Sequence, residues 1–156
     1  MSCLKIVSQP YVNQDALDIL IHRYVLPKSK LYGGLSVDPL HAAEQMKLVK
    51  ELWCQTIGKQ LRHFILSFDE YESSDISSPA SLWVGACGIC EFFASEYQIV
   101  FGIHQSYGRW HIHFVMNNIS FVTGKRYPEK NSNDYQLREY TLSLPLPTNK
   151  VDVYYS

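Results

Sequence analysis

The segment Gln98–Asn117, QIVFGIHQSYGRWHIHFVMN, constrains this chain more than any other. It reads as two strands around Tyr107-Gly108, a two-residue hairpin loop in which glycine takes the positive-φ position. That loop sets Ser106 opposite Arg109, His104 opposite His111, Ile103 opposite Ile112 and Gly102 opposite His113. Side chains alternate between faces along a strand. Ile99, Phe101 and Ile103 therefore share a face with Trp110, Ile112, Phe114 and Met116, an apolar set that has to be the core side. The other face carries Val100, Gly102 and His104 beside His111, His113, Val115 and Asn117. A slip of one residue would scramble both faces, so the pattern specifies the register.

Three of the chain's six histidines thus meet on one patch of one hairpin. Cross-strand Cβ separations of roughly 4.5–5.5 Å suit three imidazole nitrogens on one metal ion. A lone histidine there would read as a structural residue; three on a face outside the core read as ligands. Three protein ligands leave coordination positions open, the mark of a catalytic rather than a structural site. The residues do not choose the divalent ion, whether Mg2+, Mn2+ or another transition metal. Gly102, opposite His113, is expected to leave open space above the sheet.

Around the hairpin the chain reads as one α+β domain over residues 1–156, a central antiparallel sheet flanked by helices. Strands are expected at 3–8, 60–68, 98–105, 110–117, 119–123 and 150–155. Helices are expected over 14–25, ended by Pro27, and from Asp38-Pro39 to about Thr56, with Ala42, Met46, Val49, Leu52 and Trp53 facing inward. A third runs from Ser78-Pro79 to about Ser95, and a fourth over 133–141. Residues 26–40 and the acidic, serine-rich 69–78 read as loops, the first with room for a short strand. Cys87 and Cys90 are read as small apolar residues one turn apart on a buried face, since no second pair stands at zinc spacing.

With 46% hydrophobic and 19% charged residues, the composition excludes disorder and coiled coil. A formal net charge of −1 argues against a domain working purely as a basic nucleic-acid clamp. No stretch is long and apolar enough to span a membrane, and the start lacks the pattern of a signal peptide, so a cytoplasmic protein is expected.

His104-x6-His111-Ile-His113 resembles the three-histidine motif of conjugative relaxases, the mobilisation nucleases of the HUH endonuclease superfamily. His63-Phe-Ile-Leu-Ser67-Phe68 resembles the strand before that motif in the MobP-like group. Phe114-Val-Met-Asn117 and Thr123-Gly-Lys125 resemble the segment after it. Leu20-Ile-His22-Arg-Tyr24-Val-Leu-Pro-Lys28-Ser-Lys30 is similar to the tyrosine motif with its downstream lysine. The resemblance covers residues 14–127; the tail, 128–156, is atypical, and relaxases usually continue further.

The resemblance implies a metal-dependent, strand-specific nick in single-stranded DNA at an origin of transfer, made by a tyrosine hydroxyl that stays joined to the 5′-phosphate. It implies a relaxosome accessory protein as a possible partner. By motif position Tyr24 is the nucleophile, with His22 as an alternative; apart from the motif, Tyr24 would read as a helix-end packing residue. Asn117, Arg109, Lys28, Lys30, Ser67 and Lys125 are candidates to touch DNA or orient the histidines. Ser106 stands where many relaxases carry an acidic residue, which is expected to weaken metal binding. Two other readings stay open. One is a replication-initiator or transposase-type HUH nuclease using a downstream tyrosine, Tyr135 or Tyr140. The other is a relaxase-like DNA-binding or interaction module without catalysis.

Overall fold

The structure is a computed structural model describing residues 1–156. The hairpin forms the centre of a six-stranded sheet built from β1 (Ser2–Ile6), β2 (Leu31–Leu35), β3 (Leu61–Ser67), β4 (Ile99–Ser106), β5 (Arg109–Asn117) and β6 (Val151–Tyr155), in the order β2-β4-β5-β3-β1-β6. The register is the one the side-chain pattern demands, with His104 opposite His111 and Gly102 opposite His113. Tyr107 and Gly108 take φ of 52° and 76°, the left-handed pair of the hairpin turn whose twist matches the strands.

The sheet is mixed, not wholly antiparallel as expected: β6 runs parallel to β1. Strand β5 is antiparallel to β3, and β3 to β1, so β5, β1 and β6 share one direction. Two strands of like sense need a crossover. Helix α4 (Asn131–Leu142), between β5 and β6 in the chain, provides it.

Each face of the sheet has its own core. On one, Phe101, Ile103, Ile112 and Phe114 join Leu4, Phe64 and Leu66 beneath α3 (Ala80–Glu91) and Leu137 of α4. Cys90 is buried in this cluster and Cys87 half-buried at its edge, both free thiols. Gly85 and Gly88 of α3 lie against Leu146 and Leu144, where an added Cβ would come within 2.3 and 2.6 Å, so the atypical tail is docked on this helix.

On the other face Val100, Val115 and Leu61 pack against Leu17, Ile21 and Val25 and against Ala42, Ala43 and Met46. The first three apolar side chains come from a helix widened to a π-helix over Asp18–Val25, a geometry that sequence periodicity does not foretell. The others belong to α1 (Ala42–Leu52), entered through a 3-10 turn at Pro39–His41 with Asp38 Oδ1 accepting the Leu40 N–H.

Helix α1 ends at Leu52 rather than Thr56, and its inner face differs from expectation. Leu52 and Trp53 are 72% and 42% exposed, while Lys50 is buried, donating to the Oδ1 atoms of Asn117 and Asn118. The stretch 69–78 is not all loop: Asp69 and Glu72 close a capping box on the short helix α2 (Glu70–Ser74). Residues 119–123 form no strand. A single bridge, Ile119 to Arg126, stands there, and Ser120 Oγ accepts the N–H groups of Val122 and Thr123 in a turn.

Candidate metal centre and the tyrosine beside it

The candidate site is built on rows that cross the sheet. One row is Cys3, Ser67, His111 and His104; the next is Lys5, Ile65, His113, Gly102 and Tyr32. Alternation turns both rows to the same face. Nitrogen atoms of His104, His111 and His113 lie within 4.8 Å of one another. Ring centroids are 4.5 Å apart for His104 and His113, 5.2 Å for His111 and His113, and 5.4 Å for His104 and His111.

The donor set fits a cation. Burial, the largest cause at each ring, pulls the pKa of all three below the usual histidine value, His113 furthest, so the rings are neutral and carry lone pairs at neutral pH. His104 Nε2 is 2.8 Å from the Val25 carbonyl oxygen. A carbonyl only accepts, so this nitrogen bears the proton and Nδ1 is left for a metal. His113 Nδ1 is likewise engaged, 2.9 Å from His63 Nε2, which leaves Nε2.

Tyr24 stands beside this cluster, on the last turn of the π-helix. Its ring meets His104 and His113 edge-on, at centroid distances of 5.7 and 5.4 Å. Lys28 Nζ lies 4.7 Å from the Tyr24 ring centroid. The space above Gly102 is not open, contrary to expectation. A Cβ there would approach Val25 Cγ1 to 2.8 Å and the Val25 oxygen to 3.0 Å. Glycine at this position lets the end of the π-helix settle onto the sheet, which brings Tyr24 to the histidines.

Of the other candidates, Ser67 lies in the histidine row and the rest are dispersed. His22 Nε2 accepts the Ala43 N–H at 3.2 Å, at the start of α1. Ser67 is opposite His111, half-buried. Lys30 and Lys125 are exposed, and Arg109, also exposed at the hairpin tip, lies 3.4 Å from Glu70. Asn117 shares the histidine face but serves a buried network, donating to Met46 O and Gln98 Oε1 and accepting from Lys50 and Ile119. Tyr135 and Tyr140 belong to α4, which covers the opposite face, so neither reaches the histidines; Tyr140 packs on Phe92.

The structure adds residues that the hairpin pattern did not reveal. His63 and Tyr11 continue the histidine cluster, with Tyr11 Oη 2.8 Å from His63 Nδ1. Lys5 shares the row of His113. With Tyr24 and His113 they line a cleft of about 800 Å³ between residues 9–24 and the sheet.

A family model described as "Relaxase: MobA/VirD2-like, nuclease domain" matches residues 25–144. The chain belongs to this family. The match takes in all three histidines and starts one residue after Tyr24. No curated protein and no solved structure matches the chain significantly. Membership assigns this relaxase domain to DNA nicking in mobilisation, and its sheet of six strands flanked by helices is consistent with that assignment. No helix of the relaxase domain is long and apolar enough to cross a membrane.

Proposed function

We propose that this chain nicks single-stranded DNA by transesterification, with Tyr24 as nucleophile and His104, His111 and His113 as ligands of one divalent metal ion. The observation that carries the proposal is the edge-on contact of the Tyr24 ring with two of the three clustered histidines. A bound cation would supply positive charge to the oxygens of the scissile phosphate.

The chain's own residues do the rest. Tyr24 Oη forms a bond to phosphorus while the bond from phosphorus to the 3′-oxygen breaks. The phenolic proton is lost to solvent and the 3′-oxygen takes one up. The products are a 5′-phosphotyrosine and a free 3′-hydroxyl. One phosphodiester replaces another, so the reaction is reversible and needs no nucleotide cofactor. A phenol of ordinary pKa near 10 is a weak nucleophile at neutral pH. The Lys28 ammonium, 4.7 Å from the centre of the Tyr24 ring, would place a positive charge where the DNA backbone approaches. Val25 and Gly102 hold the tyrosine in place. The cleft lined by Tyr11, Tyr24, His63 and His113 is where the strand would lie. His22, committed to the Ala43 N–H, is the weaker candidate for nucleophile.

The test is covalent capture. The chain is incubated with a pool of single-stranded oligonucleotides of randomised central sequence, with Mn2+ or with chelator, and resolved on a denaturing gel. A shifted band with Mn2+ that chelator and Tyr24→Phe abolish is the expected result. An adduct that survives in Tyr24→Phe contradicts the assignment of the nucleophile, and no adduct under any condition contradicts the reaction.

A further inference from the structure

Tyr11 precedes the first helix and adopts φ of 47°, a left-handed conformation that a bulky side chain rarely takes. Its carbonyl accepts the Gln60 N–H at 2.9 Å, which ties this unusual backbone to the start of β3. The result is a phenol aimed at the sheet: Tyr11 Oη stands 2.8 Å from His63 Nδ1. His63 is 5% exposed and stacks on His113, with centroids 5.2 Å apart and planes 24° from parallel. Its Nε2 is 2.9 Å from His113 Nδ1. Three side chains from three parts of the sequence therefore form one hydrogen-bonded chain ending on a candidate metal ligand.

Neutral imidazoles give such a chain only two directions. If His113 Nε2 is to offer a lone pair to a cation, its proton sits on Nδ1 and is donated to His63 Nε2. His63 then carries its own proton on Nδ1 and donates to Tyr11 Oη. In the reverse direction Tyr11 donates to His63 Nδ1, His63 Nε2–H donates to His113 Nδ1, and the His113 proton blocks Nε2. A cation on His113 Nε2 would select the first direction, and the Tyr11 hydroxyl supports it, because it can accept the His63 Nδ1–H and leave its own proton directed elsewhere in the cleft.

We propose that Tyr11 and His63 are positioning residues for the metal centre: the chain from Tyr11 Oη through His63 holds His113 in the tautomer whose Nε2 faces the ion. This inference rests on the metal reading of the three histidines. Partners of this kind typically change metal affinity by about 10–100-fold when removed. Without the Tyr11 hydroxyl, the His63 Nδ1–H would be buried with no acceptor, so His63 turns to the other tautomer and His113 follows.

The experiment measures Mn2+ affinity of the full chain by calorimetry for wild type, Tyr11→Phe, His63→Leu and His63→Gln. Glutamine can place Oε1 near the former Nε2 and accept from His113. Tyr11→Phe and His63→Leu are expected to weaken Mn2+ binding by about 10-fold or more, while His63→Gln stays within about threefold of wild type. A second measurement, on wild type alone, guards against variants that misfold. Nitrogen NMR of the Zn2+-loaded protein should find protons on Nδ1 of both His63 and His113. Unchanged affinity in Tyr11→Phe and His63→Leu overturns the inference, as does a His113 proton on Nε2, or a folded His63→Gln as weak as His63→Leu. Wild type that binds no divalent ion overturns the metal reading as well. None of these measurements needs DNA, so a failure to nick leaves them standing.

Discussion

His104 Nε2 donates to the carbonyl oxygen of Val25 at 2.8 Å. One imidazole thereby serves two purposes: its remaining nitrogen belongs to the candidate metal centre, and its N–H clamps the backbone one residue after Tyr24. The proposed metal ligand and the proposed nucleophile are set relative to each other by a single short hydrogen bond, reinforced where Val25 closes over Gly102.

That clamp predicts the effect of Gly102→Ala. The new methyl would meet Val25 Cγ1 and its carbonyl oxygen at 2.8 and 3.0 Å, and backbone gives way less readily than a side chain. The π-helix end should lift from the sheet, costing about 1–3 kcal/mol of stability and reducing adduct formation by about tenfold or more. Urea unfolding and the covalent-capture gel check both parts; an active, equally stable variant contradicts the clamp.

Acid should destabilise the metal-free protein. Burial holds His63, His104, His111 and His113 below the ordinary histidine pKa, His63 at about 4. In the unfolded chain these rings protonate near pH 6.5. Between pH 6.5 and about 4 the unfolded state binds more protons, so stability falls as pH falls through that window. Each histidine contributes a slope of up to about 1.4 kcal/mol per pH unit. Urea titrations at pH 7, 6 and 5 should show the loss, and His63→Gln should make it shallower.

Lys50 predicts a second pH effect of its own. Burial is the largest cause lowering its amine, to about 7, with the Arg126 charge adding to it. The unfolded lysine keeps its proton to about pH 10.4. From pH 7 to 9 the unfolded state again holds the extra proton, so stability should rise across this range. In Lys50→Met the rise should disappear. Unfolding curves at pH 7, 8 and 9 compare the two proteins directly.

Lys28 should act on DNA rather than on the fold. Its side chain is exposed, with the ammonium over the Tyr24 ring. Lys28→Ala should leave thermal stability within about 0.5 kcal/mol. It should weaken single-stranded DNA binding and reduce the salt dependence by about one phosphate contact. Fluorescence anisotropy at several salt concentrations measures both.

How much of this was legible in the sequence follows from the range of each interaction. The β4–β5 register and its three histidines were legible because a two-residue turn and strict alternation are local. His63 stood in the sequence as part of a strand motif, yet its contact with His113 depends on a β3–β5 register that joins residues 50 apart. Tyr11 depends on one left-handed residue in a loop. The parallel entry of β6 beside β1 follows from a crossover through α4, and the filling of the space above Gly102 follows from the π-helix; neither leaves a periodic trace. Lys50 and Trp53 exchanged places because hydrophobicity alone ranks tryptophan inside, while two asparagine oxygens waited for an amine.

The most direct test of the central claim is to map the covalent bond itself. Tryptic digestion after Arg23 and Lys28 yields the peptide Tyr24–Lys28, which contains one tyrosine and no histidine. After reaction with single-stranded DNA and Mn2+, followed by nuclease trimming, mass spectrometry should find a nucleotide on that peptide, at the Tyr24 oxygen. A nucleotide on the peptide that carries His22, or on any other tyrosine, would contradict the account.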